Sequence, residues 1–584
     1  MPDRISRRSF VTKMASAVGT MLLHNLRADC ASTSFVQRKR NADVNDEILD
    51  IAIVGGGVSG IYSGWRLLND DPRRLMILGR TVSNGRKLRV KLFEGSRRIG
   101  GRLLSARPPG MSTICELGGM RFVSAQNRVV GLVKELNLPH HQLYTFDSNN
   151  HAFIRGNHLR ISDLNNPSVL PYRLTPVERE CVRKSGPDVL ITCGISGLLP
   201  GIANLHGEEL FSYLQTAEVD GTPLYQHGLW NLLARTMSPE AYMLSRATIG
   251  FDILFSNANA VNLILEYLRH TPDVTYQILD NGYDALPWAL QEKFEQAGGQ
   301  VVEGAWLSGF RPVPLNDGSA GVQLDFRGPC PSVKARAIML AMPKRSLELI
   351  LPSCPVLTGD RASTFQSLLN SVRPVAGCKL FICYSNPWWQ ATGVCRGESI
   401  TDLPIRQCWY WTGSQHANCG SETGDAIVMV YNDSSSVDFW AGLRSSHATP
   451  AKFMGSCGSE SQGETNEIRL RDNWSDHTAP AEMVVEVHRQ LLAIHDVRSA
   501  PDPIQAAYAN WSDDPFGAGA HMWNPGAKSW SIVDQMTHPV PDFPCYICGE
   551  AYSTTQGWVE GALETAEIVL QKRLGLSAPP WLPA

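Results

Sequence analysis

A glycine-rich turn between an apolar run and a helical stretch constrains the fold of this chain more than any other feature. Residues 48–54 are apolar and β-rich, as in a buried parallel strand, and they lead into residues 55–60, GGGVSG. In such a turn Gly55 permits the tight bend, Gly57 lets the backbone approach a pyrophosphate, and Gly60 lets the following helix pack on the strand. The helix N-terminus then points free amides at the phosphates. The pattern predicts a Rossmann-type α/β domain that binds a dinucleotide.

The second strand of such a domain should end with an acidic residue that hydrogen-bonds the adenosine ribose. The run 90–93 followed by Glu94 supplies one, but Glu94 lies 34 positions after Gly60, where a compact unit needs about 20. The polar stretch between Asp70 and Arg89 contains turn signals. We therefore expect an insertion there. The alternative is that Glu94 is a surface acid and the glycine motif is fortuitous.

Further glycine-rich blocks follow in a fixed order along the chain. Residues 95–102 (GSRRIGGR) come directly after Glu94, residues 116–122 read ELGGMRF, and residues 546–552 (YICGEAY) precede 556–566 (QGWVEGALETA). Together these blocks resemble the flavin-dependent amine oxidase family over nearly the whole chain. The last two blocks have no use in a nicotinamide-only dehydrogenase, so the resemblance implies FAD as the cofactor. It implies as cofactor-binding residues Gly55, Gly57, Gly60, Glu94, Gly101, Arg102, Gly118, Gly119, Met120, Arg121, Leu307, Glu550, Trp558 and Val559.

Within that family the chain is most similar to L-amino-acid oxidases, through residues 116–122 and the TDLPIR segment 401–406. The resemblance implies that Arg121 binds the substrate carboxylate, for which a planar guanidinium offers a two-pronged match. Alternatively, Arg121 is a solvated surface residue or binds an FAD phosphate. Tyr410 is expected to donate its hydroxyl to the same carboxylate, although the flanking tryptophans shift the alignment by one place. Gly557 and Trp558 complete the expected substrate site.

Lys379 is the remaining catalytic candidate and stands inside the apolar, strand-like run 375–384. Burying an unpaired ammonium is costly, so either Lys379 faces water on an edge strand or it has a function. In the family the matching lysine holds a water against flavin N5 and helps reduced flavin react with oxygen. The implied reaction is hydride transfer from the substrate Cα to N5, followed by imine hydrolysis, giving a 2-oxo acid, ammonia and hydrogen peroxide.

The substrate class stays open at this point. A pocket walled by tryptophan would favour an aromatic or large apolar amino acid, and many of the 15 tryptophans lie outside the FAD motifs, among them Trp230, Trp388, Trp389, Trp409, Trp411, Trp440, Trp523 and Trp530. The alternatives are a mono- or polyamine oxidase or a tryptophan 2-monooxygenase of the same family. An alternative of another class is a flavin-binding protein without catalysis.

The resemblance implies an α/β fold in which a discontinuous Rossmann-type FAD-binding domain is interleaved with a mixed-sheet substrate-binding domain and a helical insertion. The expected segments are a signal (1–30), a linker (31–46), FAD-binding segments (47–119, 273–345 and 521–576), substrate-binding segments (120–174 and 346–520) and a helical domain (175–272). The polar stretch 441–475 is expected to be an exposed insertion.

The N-terminal 40 residues differ from the rest in charge. They hold eight Lys and Arg against two Asp, whereas the whole chain has a formal net charge of -3. Residues 6–13 (SRRSFVTK) and the short apolar stretch after them resemble a twin-arginine signal, which implies a periplasmic or secreted protein; a disordered basic tail on a cytoplasmic protein is the alternative.

Composition limits the partners. The absence of a basic excess argues against nucleic acid, and no later run reaches the roughly 18 apolar residues of a membrane span. We expect no metal site, because the CxxC pair of Cys545 and Cys548 lies in a strand-like run, where side chains three apart point to opposite faces. The expected partners are an amino acid and molecular oxygen, and a homo-oligomer is left open.

Overall fold

A computed structural model describes residues 48–143, 145–269, 274–359, 362–412, 424–444 and 474–582. The predicted signal 1–30 and linker 31–46 lie outside the described residues, as does most of the predicted insertion 441–475. The described residues form one compact unit. No helix in the described part of the chain is long and apolar enough to cross a membrane.

The strands of the described residues contribute two large sheets and several short ribbons. In chain order they are β1 Leu49–Val54, β2 Met76–Ile77, β3 Arg80–Thr81, β4 Val90–Phe93, β5 Ser105–Ala106, β6 Cys115–Glu116, β7 Phe122–Val123, β8 His140–Gln142, β9 His151–Ile154, β10 Asn157–Arg160, β11 Glu218–Val219, β12 Thr222–Pro223, β13 Tyr276–Leu279, β14 Gln300–Val302, β15 Leu307–Pro314, β16 Ala320–Phe326, β17 Val333–Leu340, β18 Val372–Val375, β19 Gly377–Tyr384, β20 Gly397–Thr401, β21 Gln407–Trp411, β22 Ala426–Asp433, β23 Gln505–Asn510, β24 Ala520–Trp523 and β25 Cys545–Ile547.

The α-helices begin and end at local signals in several cases. Thr175 and Glu178 form a capping box at the start of α3, and Ser238 caps α7, whose first residue is a proline. In chain order the helices are α1 Val58–Asn69, α2 Asn127–Glu135, α3 Pro176–Ser185, α4 Val189–Leu198, α5 Gly207–Thr216, α6 Leu229–Leu233, α7 Pro239–Ile249, α8 Ala260–Arg269, α9 Ala285–Gln296, α10 Lys344–Ile350, α11 Ala362–Leu369, α12 Ser436–Gly442, α13 Ala481–His495, α14 Ser529–Thr537 and α15 Val559–Glu567.

The first large sheet contains the strand that precedes the glycine-rich turn. Its order is β14-β4-β1-β17-β16-β15, with β25 also beside β17. The strands β14, β4, β1, β17 and β25 run parallel, whereas β15 and β16 are antiparallel additions. These strands come from three separated parts of the chain, so the expected discontinuous Rossmann-type α/β domain is confirmed. Ligands of such sheets bind at the carboxyl ends of the parallel strands.

The expected insertion after α1 is also present. A single turn of 3-10 helix at Pro72–Arg74 and the short hairpin of β2 and β3 separate α1 from β4. The backbone N–H of Met76 donates to the carbonyl of Leu574, which ties the hairpin to the C-terminal region. This excursion accounts for the long spacing between Gly60 and Glu94.

The second large sheet is mixed and carries two of the three catalytic candidates, Lys379 on β19 and Tyr410 on β21. Its order is β10-β9-β20-β21-β22-β19-β23, and all neighbours are antiparallel except β9 and β20. One face packs against α13 in a core that contains Tyr384, Trp389 and Trp440. The opposite face, with Phe381, Trp409 and Met429, packs toward the segment around Leu117. Because side chains alternate along each strand, neighbouring residues point to opposite faces of the sheet.

The helices α3 to α8 cover the region predicted to be helical and share one hydrophobic core. The two strand cysteines after α14 lie on opposite faces of the first sheet, as predicted: Cys545 packs in one core and Cys548 in another. Burial raises the pKa of both thiols. Neither has the low-pKa thiolate of a redox dithiol.

Candidate functional site

A cavity of about 960 Å³ extends from the carboxyl ends of the parallel strands to the open face of the mixed sheet. It brings together most of the site residues predicted from the sequence. Those that line it are Gly55, Gly57, Glu94, Gly101, Arg102, Gly118, Gly119, Met120, Arg121, Leu307, Lys379, Glu550, Gly557, Trp558 and Val559. Gly60 and Tyr410 are not part of its lining.

The three motif glycines differ in what surrounds them. Gly55 has a φ of +106°, which side chains rarely tolerate, and a Cβ on it would lie 2.3 Å from the Ala341 carbonyl oxygen. A Cβ on Gly60 would lie 2.0 Å from the Gly55 oxygen, so Gly60 serves close packing. A Cβ on Gly57 would have only the Gly101 Cα near it, at 4.0 Å. The space beside Gly57 is therefore open cavity, as the backbone approach of a pyrophosphate requires.

Glu94 is tied to the glycine-rich turn. Its Oε2 accepts a hydrogen bond of 2.6 Å from the Gly56 N–H, and its Oε1 accepts one of 2.8 Å from the Ser96 N–H. The side chain is partly buried and lines the cavity. Glu94 is therefore not a detached surface acid, which removes the alternative that the glycine motif is fortuitous.

Glu550 is the centre of a buried network at the C-terminal side of the cavity. It accepts a 2.8 Å hydrogen bond from Arg102, one of 2.7 Å from the Gly557 N–H, and bonds of 2.9 Å from both the backbone N–H and the ring Nδ1 of His521. Burial alone would raise the pKa of Glu550, but Arg102 and His521 outweigh it and hold this pKa well below its usual range. The sequence motifs did not reveal His521.

The guanidinium of Arg121 is held by aromatic rings and not by an acid. Its Cζ lies 4.1 Å from the ring centroid of Tyr276, 5.3 Å from that of Trp409 and 5.7 Å from that of Phe251. Among the described residues, no carboxylate lies within 4.0 Å of Arg121 and none of its N–H groups has a hydrogen-bond acceptor. Its charge therefore faces the cavity without a partner in the described chain.

Lys379 is buried, and its strand β19 lies between β22 and β23, so it is not a water-facing lysine on an edge strand. Its Nζ donates hydrogen bonds of 2.9 Å and 2.6 Å to the backbone carbonyls of Glu116 and Gly118. An ammonium has three donors, so one remains for a further partner in the cavity. Burial lowers the pKa of Lys379; Glu116 opposes this effect and Arg121 adds to it.

Tyr410 lies on the wrong face of the mixed sheet for the role predicted from the sequence. Its hydroxyl is 2.8 Å from Nε2 of His495 and 3.1 Å from Sγ of Cys408, inside the core beneath the sheet. Trp409, one position earlier, lines the cavity instead. The structure therefore corrects the expectation that Tyr410 contacts the substrate, and the physical reason is strand alternation.

Three acids that sequence reasoning missed also line the cavity: Glu398 on β20, Asp188 at the start of α4 and Glu266 on α8. Burial raises the pKa of the Asp188 and Glu398 carboxyl groups, that of Glu398 to about 7. Glu266 accepts a 3.1 Å hydrogen bond from the indole N–H of Trp558. No spacing or motif marks these three acids in the sequence.

Comparison with known proteins identifies the family. Residues 59–446, about two thirds of the chain, match the model of the family described as flavin containing amine oxidoreductase. The chain belongs to this family. The amine oxidoreductase is 28% identical over 555 residues to Aplysianin-A from Aplysia kurodai, covering 90% of each chain. It is 24% identical over 572 residues to Achacin from Lissachatina fulica, covering 93% of this chain and 96% of that protein. An L-amino-acid oxidase from Demansia vestigiata is 23% identical over 523 residues, with 88% and 84% covered.

Solved structures agree on the fold. A putrescine oxidase bound to putrescine superimposes with a TM-score of 0.61 at 15% identity, covering 90% of this chain and 99% of that one. Cyclohexylamine oxidase from Brevibacterium oxydans gives a TM-score of 0.59 at 16% identity, with the same coverage. At these identities the likeness establishes the amine oxidase fold and leaves the substrate open.

FAD is the cofactor of this amine oxidoreductase, which acts on small-molecule substrates with oxygen. The described residues fit such a group. The open space beside Gly57 suits a pyrophosphate, Glu94 lines the cavity next to the glycine-rich turn, and the cavity continues past Glu550 to Trp558.

Proposed function

We propose that this amine oxidoreductase is an L-amino-acid oxidase. The observation that carries the proposal is the guanidinium of Arg121, which faces the same cavity as Lys379 without an acidic partner among the described residues. A substrate carboxylate would supply that partner through two parallel hydrogen bonds. An amine without a carboxylate would leave this charge unpaired in a partly enclosed site, at a cost in binding.

Each chain residue has a defined part in the proposed reaction. Arg121 binds the carboxylate and so fixes the substrate Cα, while the rings of Tyr276, Trp409 and Phe251 fix Arg121. Lys379, held by two carbonyls, uses its remaining N–H to bind a water beside the reacting centre. When bound, FAD supplies the acceptor for hydride from the amino acid and the site at which oxygen is reduced to peroxide. We propose FAD-contacting roles for Glu94, Arg102, Leu307, Glu550 and Val559, and substrate-facing roles for Gly557 and Trp558.

One assay panel tests the proposal. Purified holoprotein is incubated with each of the twenty L-amino acids and with primary amines and polyamines, and peroxide, ammonia and the organic product are measured. We expect peroxide, ammonia and a 2-oxo acid from at least one L-amino acid. Peroxide from amines alone would replace the proposal with a mono- or polyamine oxidase, and an amide product would replace it with a 2-monooxygenase. A flavin spectrum that no compound bleaches would indicate a flavin-binding protein without catalysis.

We also propose that residues 1–30 address the chain for export and that the remaining segment boundaries follow the sequence prediction. The double arginine and the basic head, which precede the described residues, support export. Deleting residues 1–30 should retain the protein in the cytoplasm of the native cell. Unchanged fractionation of the shortened chain would contradict this proposal.

A further inference from the structure

Two half-buried cysteines contact each other across a pair of helices in the helical region. The Sγ atoms of Cys181 on α3 and Cys193 on α4 lie 2.9 Å apart, and both thiols are free. Among the free cysteines of the described residues, no other two sulfur atoms are in such contact, and the rest are buried except for Cys330. This pair is therefore the one described position where an oxidant from solvent meets two thiols that already touch.

The two helices form a hairpin that leaves room for a covalent bond between these sulfur atoms. Only residues 186–188 separate the end of α3 from the start of α4. Gly186 has a φ of +81°, which lets the chain turn back after α3. An S–S bond is about 2.05 Å long, so the two Sγ atoms need to approach each other by only about 1 Å. Small side-chain rotations supply such a movement.

The same hairpin forms part of the cavity wall. It contributes four lining residues: Ser185, Asp188, Val189 and Thr192. Neither cysteine belongs to the lining as the described residues form it, although Cys193 directly follows Thr192. A bond between the sulfur atoms would therefore fix α3 to α4 without occupying the space in which a substrate binds.

Resting on the proposed oxidase function for its oxidant, we propose that hydrogen peroxide released by the enzyme converts Cys181 and Cys193 into a disulfide. The Cys181 sulfur first attacks peroxide: an S–O bond forms, the O–O bond breaks, and water leaves with the thiol proton, which gives a sulfenic acid. The Cys193 sulfur then attacks the Cys181 sulfur: the S–S bond forms, the S–O bond breaks, and the hydroxyl leaves as water with the Cys193 proton. The two thiols lose two electrons in all, and one peroxide is reduced to two waters.

The hydrogen bond between the thiols gives them different parts in this reaction. Cys193 donates its proton to the Sγ atom of Cys181. Burial and this hydrogen bond raise the pKa of Cys193 to about 12. Cys193 therefore keeps its proton until a sulfenic acid forms beside it, whereas the Cys181 sulfur is the one that meets peroxide.

Peptide mapping tests the proposal directly. Holoenzyme is treated with a thiol reductant, freed of it, and then exposed either to added hydrogen peroxide or to an amino acid that gives peroxide in the assay panel, with and without catalase. Trypsin cuts after Arg179 and Arg183, so Cys181 lies in the peptide 180–183 and Cys193 in the peptide 185–235. Mass spectrometry should find these two peptides linked, with the loss of two hydrogen atoms, after either exposure. Catalase should prevent the link during turnover.

Thermal unfolding and variants give a second readout. Closing a loop of this size should raise the Tm of a chain this long by about 1–4 °C. Added peroxide should produce this rise in the wild type and not in Cys181→Ser or Cys193→Ser. The Cys193→Ser variant should instead accumulate sulfenic acid at Cys181, which a dimedone label detects. The matched control is Cys330→Ser, which removes a half-buried cysteine without a sulfur neighbour and should respond to peroxide as the wild type does.

Several results would overturn the proposal. One is a pair that stays unlinked in an excess of peroxide. Another is a pair that is linked from the start and resists the reductant in the folded protein, because it would then be a structural disulfide. Equally fast linking with and without catalase during turnover would refute peroxide as the oxidant. A protein that makes no peroxide from any amino acid would refute the oxidase function, whereas the response to added peroxide would still decide whether the two thiols react as proposed.

Discussion

Two glycines of the 55–60 motif, Gly57 and Gly60, should respond in opposite ways to the same added methyl group. Gly57 has a φ of -68°, which alanine adopts freely, and a Cβ there would meet only the Gly101 Cα at 4.0 Å. Gly57→Ala should therefore leave the stability of the FAD-free protein within about 1 kcal/mol of wild type. Gly60→Ala would place its methyl 2.0 Å from the Gly55 carbonyl oxygen, and overpacking of this kind costs about 1–3 kcal/mol or more.

Affinity for FAD should follow the reverse order. The methyl of Gly57→Ala would occupy the space through which the backbone N–H groups approach the pyrophosphate. Losing one hydrogen bond to a charged phosphate weakens binding about 10- to 100-fold. Gly60→Ala leaves that space unchanged, because Gly60 does not line the cavity. The FAD affinity of Gly60→Ala should therefore be closer to that of wild type than the affinity of Gly57→Ala is.

Two measurements on the same samples separate these effects. Thermal unfolding of the FAD-free proteins reports packing, and titration of the FAD-free proteins with FAD, followed by flavin fluorescence, reports affinity. Wild-type FAD affinity in Gly57→Ala would refute the assignment of this turn to the pyrophosphate. Equal unfolding temperatures for both FAD-free variants would refute the packing argument for Gly60.

Three further substitutions test the site. Arg121→Met should lower kcat/KM for the amino-acid substrate about 30-fold or more with FAD content unchanged, since removing one partner of a buried charge pair costs about 2 kcal/mol or more. The control is Arg155→Met, which removes an arginine that lies over a tyrosine ring outside the cavity. An equal loss of FAD binding in Arg121→Met would return Arg121 to a cofactor role. Lys379→Met should slow reoxidation of reduced flavin by oxygen about 100-fold and affect anaerobic reduction by substrate much less, which stopped-flow absorbance resolves; equal slowing of both steps would contradict the assignment. Glu550→Gln should destabilise the protein at pH 7 by about 3 kcal/mol or more, because it leaves the Arg102 guanidinium without its carboxylate partner. The pKa of Glu550 is lower in the folded protein than in the unfolded chain, where it is about 4.3. The extra unfolding free energy of wild type over Glu550→Gln is therefore fully present above about pH 4.3 and should shrink as the pH falls below it. A constant difference in unfolding free energy down to about pH 3 would contradict the assignment.

Features encoded within a short stretch of chain could be predicted from the sequence. The glycine-rich turn is flanked by its own strand and helix, so Gly55, Gly57 and Gly60 reveal their roles through local spacing alone. Glu94 was predictable for the same reason, once the turn signals before it indicated an insertion. The helices of the 175–272 region also follow local periodicity.

The open face of the mixed sheet could not be predicted in this way. The strand β21 has tryptophan or tyrosine at three consecutive positions, 409 to 411, so both of its faces are aromatic and alternation alone does not tell which one meets the cavity. The motif resemblance pointed to Tyr410. In the structure the Tyr410 hydroxyl bonds His495 in the core beneath the sheet, and Trp409 faces the cavity instead. Glu398 lies on a strand without an amphipathic pattern, and only the register that pairs it with Trp409 shows that it lines the cavity.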